Sequence, residues 1–134
     1  MTAPVVLLDT DVASAMYKKK PFPILNAIIG FEPCISFVTF AEMAKWAEVR
    51  SWASHNRAEL GQWLGRLATI HSNESICTIW AALSADGHMR GRHRPHNDTW
   101  VAAVALAYRL PLATLNSHDY EDVAARYGLQ LVRA

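Results

Sequence analysis

Val5-Val6-Leu7-Leu8-Asp9-Thr10-Asp11 is a short, unbroken apolar run that halts at two acids flanking a threonine. A run of this length without polar alternation is the pattern of a strand buried on both faces, as in a parallel sheet covered by helices. Working outward, Pro33 opens a second run, Cys34-Ile35-Ser36-Phe37-Val38. Thr39, with Glu42 three residues on, then forms a capping-box start for a helix to about Ala53. Residues 57–70 read as helical. Ile76, Ile79, Trp80 and Leu83 fall at helical spacing within residues 74–89, and a Gly/Arg/His loop follows over residues 87–96. Asn97 is placed to cap the next helix, residues 98–109, which is apolar almost all round (Trp100, Val101, Val104, Leu106) and ends before Pro111. Leu112-Ala113-Thr114-Leu115 reads as a third strand, residues 117–127 as a helix closed by Gly128, and Leu129-Gln130-Leu131-Val132 as a last strand. Strands alternating with helices predict an α/β fold: a mainly parallel central sheet of about four to five strands with helices on both faces.

At 134 residues and 51% hydrophobic composition, the chain is sized for one domain with a real core, residues 1–134. The longest uncharged stretches fall short of the roughly 18 apolar residues that a membrane-spanning helix needs. The N-terminal apolar run has no basic segment before it and meets Asp9 at once, so a secretory signal is not expected and the cytoplasm is the default location. Cys34 and Cys77 lie far apart among apolar neighbours, outside any metal-ligand spacing, and are read as buried thiols. A formal net charge of +1 gives no whole-molecule attraction to nucleic acid, so any such partner must be held by local patches.

In open parallel sheets, function gathers beyond the carboxyl ends of the strands, which is where Asp9 and Asn116 fall. A carboxylate at the end of an apolar strand pays desolvation unless something offsets it, and this separates Asp9 from an ordinary turn acid. If the chain stays extended there, Asp11 points to the same side as Asp9; helix capping is its structural alternative. Glu42 could simply complete its capping box or pair with Lys45, Asp98 could serve the dipole of the helix it opens, and Asp119 could cap or face water.

Taken together, four segments resemble the PIN domain, specifically the VapC-type toxins of type II toxin–antitoxin pairs. They are Leu7-Leu8-Asp9-Thr10-Asp11-Val12, Ser36-Phe37-Val38-Thr39-Phe40-Ala41-Glu42-Met43, Asn97-Asp98-Thr99-Trp100-Val101-Ala102-Ala103-Val104-Ala105-Leu106 and Ala113-Thr114-Leu115-Asn116-Ser117-His118-Asp119-Tyr120. They occur in the family's order and span essentially the whole chain. The resemblance implies that Asp9, Glu42, Asp98 and Asp119 converge as one catalytic and metal-binding pocket. Clustered carboxylates repel one another, and a divalent cation keeps them ionised; all-oxygen ligation suits Mg²⁺, with Mn²⁺ as substitute. The implied activity is metal-dependent endoribonuclease cleavage, water attacking a phosphodiester, with tRNA or rRNA as the structured target. Either Asn116 or Asp119 can be the fourth site residue; Asp119 is favoured as the acid and Asn116 as a neutral ligand or substrate donor. Thr10, Asp11 and Thr114 are candidates for supporting hydrogen bonds or substrate contact. The family also implies a VapB-type antitoxin partner and a homodimer.

For the RNA itself, Arg90, Arg92 and Arg94 sit in the loop that leads to Asp98 and could guide a phosphate backbone, the alternative being a solvated surface loop. Trp46, Trp52 and Trp63, accompanied by Lys45, Arg50, Arg57 and Arg66, could stack on unpaired bases, although packing or a partner groove accounts for them as well. Two other readings compete. Asp9-Thr10-Asp11 also resembles the nucleophile and acid pair of haloacid-dehalogenase-like phosphatases, but Ala13 stands where that family usually has Thr or Val and no later Lys/acid motif is convincing. A non-catalytic PIN-like module binding RNA or protein is the other.

Overall fold

The computed structural model describes residues 3–134. Four parallel strands, β1 (Val5–Leu8), β2 (Glu32–Ser36), β3 (Ala68–Ile70) and β4 (Leu112–Ala113), form a sheet in the order β3-β2-β1-β4. Seven helices surround it: α1 (Thr10–Tyr17), α2 (Pro23–Ala27), α3 (Phe37–Val49), α4 (Ser54–Gly65), α5 (Glu74–Met89), α6 (His96–Tyr108) and α7 (Glu121–Tyr127), the last preceded by a 3₁₀ turn at Ser117–Tyr120. This is the α/β architecture that the alternating pattern predicts.

The central strand β1 and its neighbour β4 carry no polar residue, because both of their faces are covered. Leu7 and its register partners Cys34 and Leu112 face one core, shared with Ile76 and Leu83 of α5 and the small, apolar face of α6. Val6, Leu8, Ile35 and Ala113 face the other, packed against Val12 of α1, Met43 and Ala47 of α3, and Leu60 and Leu64 of α4. Val6, Leu7 and Leu8 are fully buried, and each such side chain is worth roughly 1.5–3 kcal/mol of transfer free energy.

The structure differs from the sequence reading in several places. Residues 57–70 are not one helix: α4 ends at Gly65 and the remainder pairs with β2 as the edge strand β3, a three-residue element too short to leave a period. The expected last strand reduces to one bridge, Leu112 to Leu131, and α2 was not anticipated. Helix α3 begins one turn earlier than the capping box predicts, because Ser36 is the N-cap and its Oγ accepts from the Thr39 N–H at 3.3 Å. Two hydroxyl residues three apart can both cap, and sequence does not choose between them. Asn97 lies inside α6, whose N-cap is Pro95. Cys34 is buried, as expected; Cys77 is exposed on α5. Among the described residues, no helix is long and apolar enough to cross a membrane.

Candidate active site

The chain runs from β1 outward through β2 to β3 and then crosses back to place β4 on the opposite side of β1. The β1/β4 boundary is thus the point where strand order reverses, and a crevice opens there beyond the carboxyl ends. Asp9 follows β1 directly, its N–H bonded to the Ala113 carbonyl of β4 at 2.9 Å. Asp9, the N-cap of α1, and Asp98, in the first turn of α6, sit at helix N-termini whose dipoles favour negative charge, and Glu42 reaches the same crevice from the second turn of α3.

Hydrogen bonds tie these acids together. Asp9 is 8% exposed; its Oδ1 accepts from the Thr10 N–H at 2.9 Å and its Oδ2 from the hydroxyls of Thr114 at 2.9 Å and Tyr120 at 3.0 Å. The Tyr120 hydroxyl also lies 3.3 Å from Asp98 Oδ1. Thr10 Oγ1 donates to Glu42 Oε1 at 2.9 Å and lies 2.9 Å from the Thr39 hydroxyl, so Thr10 links the Asp9 side of the crevice to α3. Glu42 therefore serves the crevice and not a capping box.

Asp11 does not stand beside Asp9 on an extended chain, because α1 begins at Thr10. Its Oδ2 accepts from the Leu115 N–H at 3.1 Å and the Asn116 amide at 2.9 Å, pinning the loop after β4. Asn116 is thereby engaged with Asp11 and makes no hydrogen bond to Asp9, Glu42 or Asp98. Asp119 is exposed, and its charge reaches Asp98 without a direct hydrogen bond. The sequence alone assigns no role to Tyr120; its only signal is position, one residue after Asp119.

The electrostatics register this crowding. Burial raises the Asp98 carboxyl above its ordinary range, the charges of Asp9 and Asp119 raise it further, the Tyr120 hydroxyl opposes, and Glu42 adds to the rise. Burial, then the charge of Asp9, pushes Asp11 up to about 6 against the pull of its hydrogen bonds from Leu115, Val12 and Thr114. Asp11 Oδ1 is buried without a hydrogen-bond partner. The crowding of Asp98 with Asp9, Asp119 and Glu42 and the all-oxygen donor set suit a hard divalent cation. Among the described residues, no group of three or more His, Cys, Asp or Glu side chains is placed to hold a metal ion, so the four-acid metal pocket that the resemblance implies is not drawn together as one ligand cluster. The pair that the structure links directly is Asp9 and Asp98, through the Tyr120 hydroxyl.

Beside Glu42 a groove of about 620 Å³ runs between α3 and α6, walled by Phe37, Val38, Trp46 and Trp100 and bordered by Lys45 and Arg50. The Lys18 ammonium lies 4.8 Å from the centre of the Trp46 ring. Arg90 and Arg94, by contrast, are spent on ion pairs: Arg94 binds Asp122 at 2.6 Å and Asp86 at 3.1 Å, and Arg90 binds Asp122 at 3.1 Å. Arg92 is exposed and makes no ion pair among the described residues.

Comparison with known proteins agrees with this fold. Ribonuclease VapC2 of Haemophilus influenzae is 28% identical over 122 residues, covering 89% of this chain and 92% of that protein. The structure of VapBC-1 from nontypeable Haemophilus influenzae superposes with a TM-score of 0.80 at 25% identity, covering 95% of this chain and 96% of that one. DNA-bound VapBC from Salmonella typhimurium shares the fold with a TM-score of 0.78 at 21% identity, over 97% of each chain. The PIN domain family matches residues 6–126, from β1 into α7, and so takes in all four segments that build the crevice. The chain belongs to the PIN domain family and is related to its VapC-type members.

Proposed function

We propose that the chain is a Mg²⁺-dependent endoribonuclease, with Mn²⁺ as a substitute, acting as the toxin of a toxin–antitoxin pair in the cytoplasm. The observation that carries this reading is the PIN domain match over residues 6–126, supported by the Tyr120 hydroxyl between Asp9 and Asp98, where the charges of Asp119 and Glu42 also reach Asp98. Family membership leaves no place for the phosphatase reading of Asp9-Thr10-Asp11. The cation, when bound, would lower the pKa of water and neutralise charge on the phosphodiester in its transition state. Asp9 and Asp98 would hold it, and the Thr114 hydroxyl braces Asp9. Glu42, held by Thr10, stands at the mouth of the groove and Asp119 at the solvent side, where either can take a proton from an attacking water.

The groove beside Glu42 suits a flanking nucleotide. Its apolar walls accept a base, and Lys45 and Arg50 meet the phosphates. Structured RNA such as tRNA or rRNA is the proposed substrate. A VapB-type antitoxin, the companion of VapC in the related VapBC structures, is the proposed partner, and a homodimer the proposed assembly.

The test is cleavage of a mixed tRNA and rRNA pool with Mg²⁺ or EDTA, beside Asp98→Asn. Discrete Mg²⁺-dependent fragments that vanish with EDTA and in a folded Asp98→Asn protein are expected. Undiminished cleavage by that variant would sink the assignment, and no cleavage by the metal-loaded wild type would turn the weight to a binding module.

A further inference from the structure

Tyr120 is the largest fully buried side chain, 1% exposed, and its ring packs in the core shared by α5 and α6. A phenylalanine would fill that space with no polar atom to desolvate, so the hydroxyl must be repaid by what it binds. It binds two carboxylates: Asp9 Oδ2 at 3.0 Å and Asp98 Oδ1 at 3.3 Å. The two are unequally supported. Asp9 also receives the Thr10 N–H and the Thr114 hydroxyl, whereas the side chain of Asp98 has no other hydrogen bond among the described residues. An ordinary phenol is protonated at neutral pH, so the hydroxyl serves both carboxylates as a donor. One hydroxyl proton thus serves two carboxylates, one on the end of β1 and the other on the first turn of α6.

We propose that Tyr120 is a positioning residue for the acidic centre: its hydroxyl, acting from the core side, fixes the spacing and orientation of Asp9 and Asp98 so that they receive a divalent cation without rearranging. The proposal rests on the metal-dependent reading above. It makes the short 3₁₀ turn carrying Tyr120 a clamp between the end of β1 and the start of α6, two elements that no other side-chain hydrogen bond in the crevice joins. Groups that orient metal ligands through hydrogen bonds are typically worth about 10–100-fold in affinity or activity.

The experiment is calorimetric titration of wild type, Asp98→Asn and Tyr120→Phe with Mn²⁺ alone, circular dichroism confirming the fold of each. Tyr120→Phe is expected to bind Mn²⁺ about tenfold or more weakly. Its half-saturating Mg²⁺ for RNA cleavage should rise in step, with kcat largely restored at saturating metal. Wild-type affinity in a folded Tyr120→Phe protein overturns the proposal and leaves the nuclease reading intact. Absence of Mn²⁺ binding by wild type overturns both. Should Tyr120→Phe fail to fold, wild type carrying ¹³Cζ-tyrosine answers the question, with Tyr17→Phe, Tyr108→Phe and Tyr127→Phe assigning the signals. The Tyr120 resonance should move with Mg²⁺ and saturate at the calorimetric affinity; a resonance that does not move overturns the proposal.

Discussion

Thr10 shows how a small residue sets a site. Its hydroxyl donates to Glu42 across 32 positions of sequence and meets the hydroxyl of Thr39, so α3 is held to the start of α1 by one side chain. Thr10→Val keeps the shape and removes the donor, leaving Glu42 free to swing into the groove. The expected outcome is about a tenfold loss of RNA cleavage with little change in thermal midpoint, and near wild-type cleavage for Thr10→Ser. A loss in Thr10→Ser with none in Thr10→Val would show that the methyl packing matters and not the hydroxyl. Asp11 illustrates the opposite assignment: its sequence position suggests a partner for Asp9, but its carboxylate holds the Leu115–Asn116 loop.

Helix α5 and the loop after it form a second, structural centre. Asp86 accepts from Arg94 at 3.1 Å and Arg126 at 2.9 Å, Asp122 of α7 joins the network through Arg94 and Arg90, and Arg94 also donates to the Leu83 carbonyl. Arg90 and Arg94, two of the three arginines that the sequence offers for RNA, therefore fasten α5, the loop and α7 together. Gly87 makes this return of the chain possible, since a Cβ there would meet the Arg92 carbonyl oxygen at 2.6 Å. Replacing a helical glycine by alanine ordinarily gains about 1 kcal/mol. Here Gly87→Ala should instead cost roughly 1–3 kcal/mol, because backbone must move. Chemical denaturation decides the sign.

Two expectations concern the molecule as a whole. Burial works to raise the Asp86 carboxyl, but hydrogen bonds from Arg94 and Arg126 overcome it and hold the group down at about 2. A folded value below the unfolded one, about 3.9, means that its stabilisation is complete above about pH 4 and fades as pH falls toward 2. The thermal midpoint of wild type should thus drop across that window more steeply than that of Asp86→Asn. With a net charge of +1, the proposed RNA substrate has to be held by local patches. Lys45→Glu with Arg50→Glu should weaken RNA binding and flatten its salt dependence by about 0.7 in log–log slope for each phosphate no longer neutralised; an unchanged slope would place the strand elsewhere. The apolar runs at Val6–Leu8 and Leu112–Ala113, the acids that stop them and the family's four segments are all local patterns, so sequence alone determined the α/β class, the family and the acidic candidates. Element ends and pairings were decided only in three dimensions. A three-residue strand such as β3 is stabilised by its neighbour β2 and carries no period of its own. Which hydroxyl caps α3, where Asp11 turns, which arginines are already paired, and the hydroxyl of Tyr120 between Asp9 and Asp98 all depend on the meeting of residues far apart in the chain, and those distances exist only once the sheet has closed.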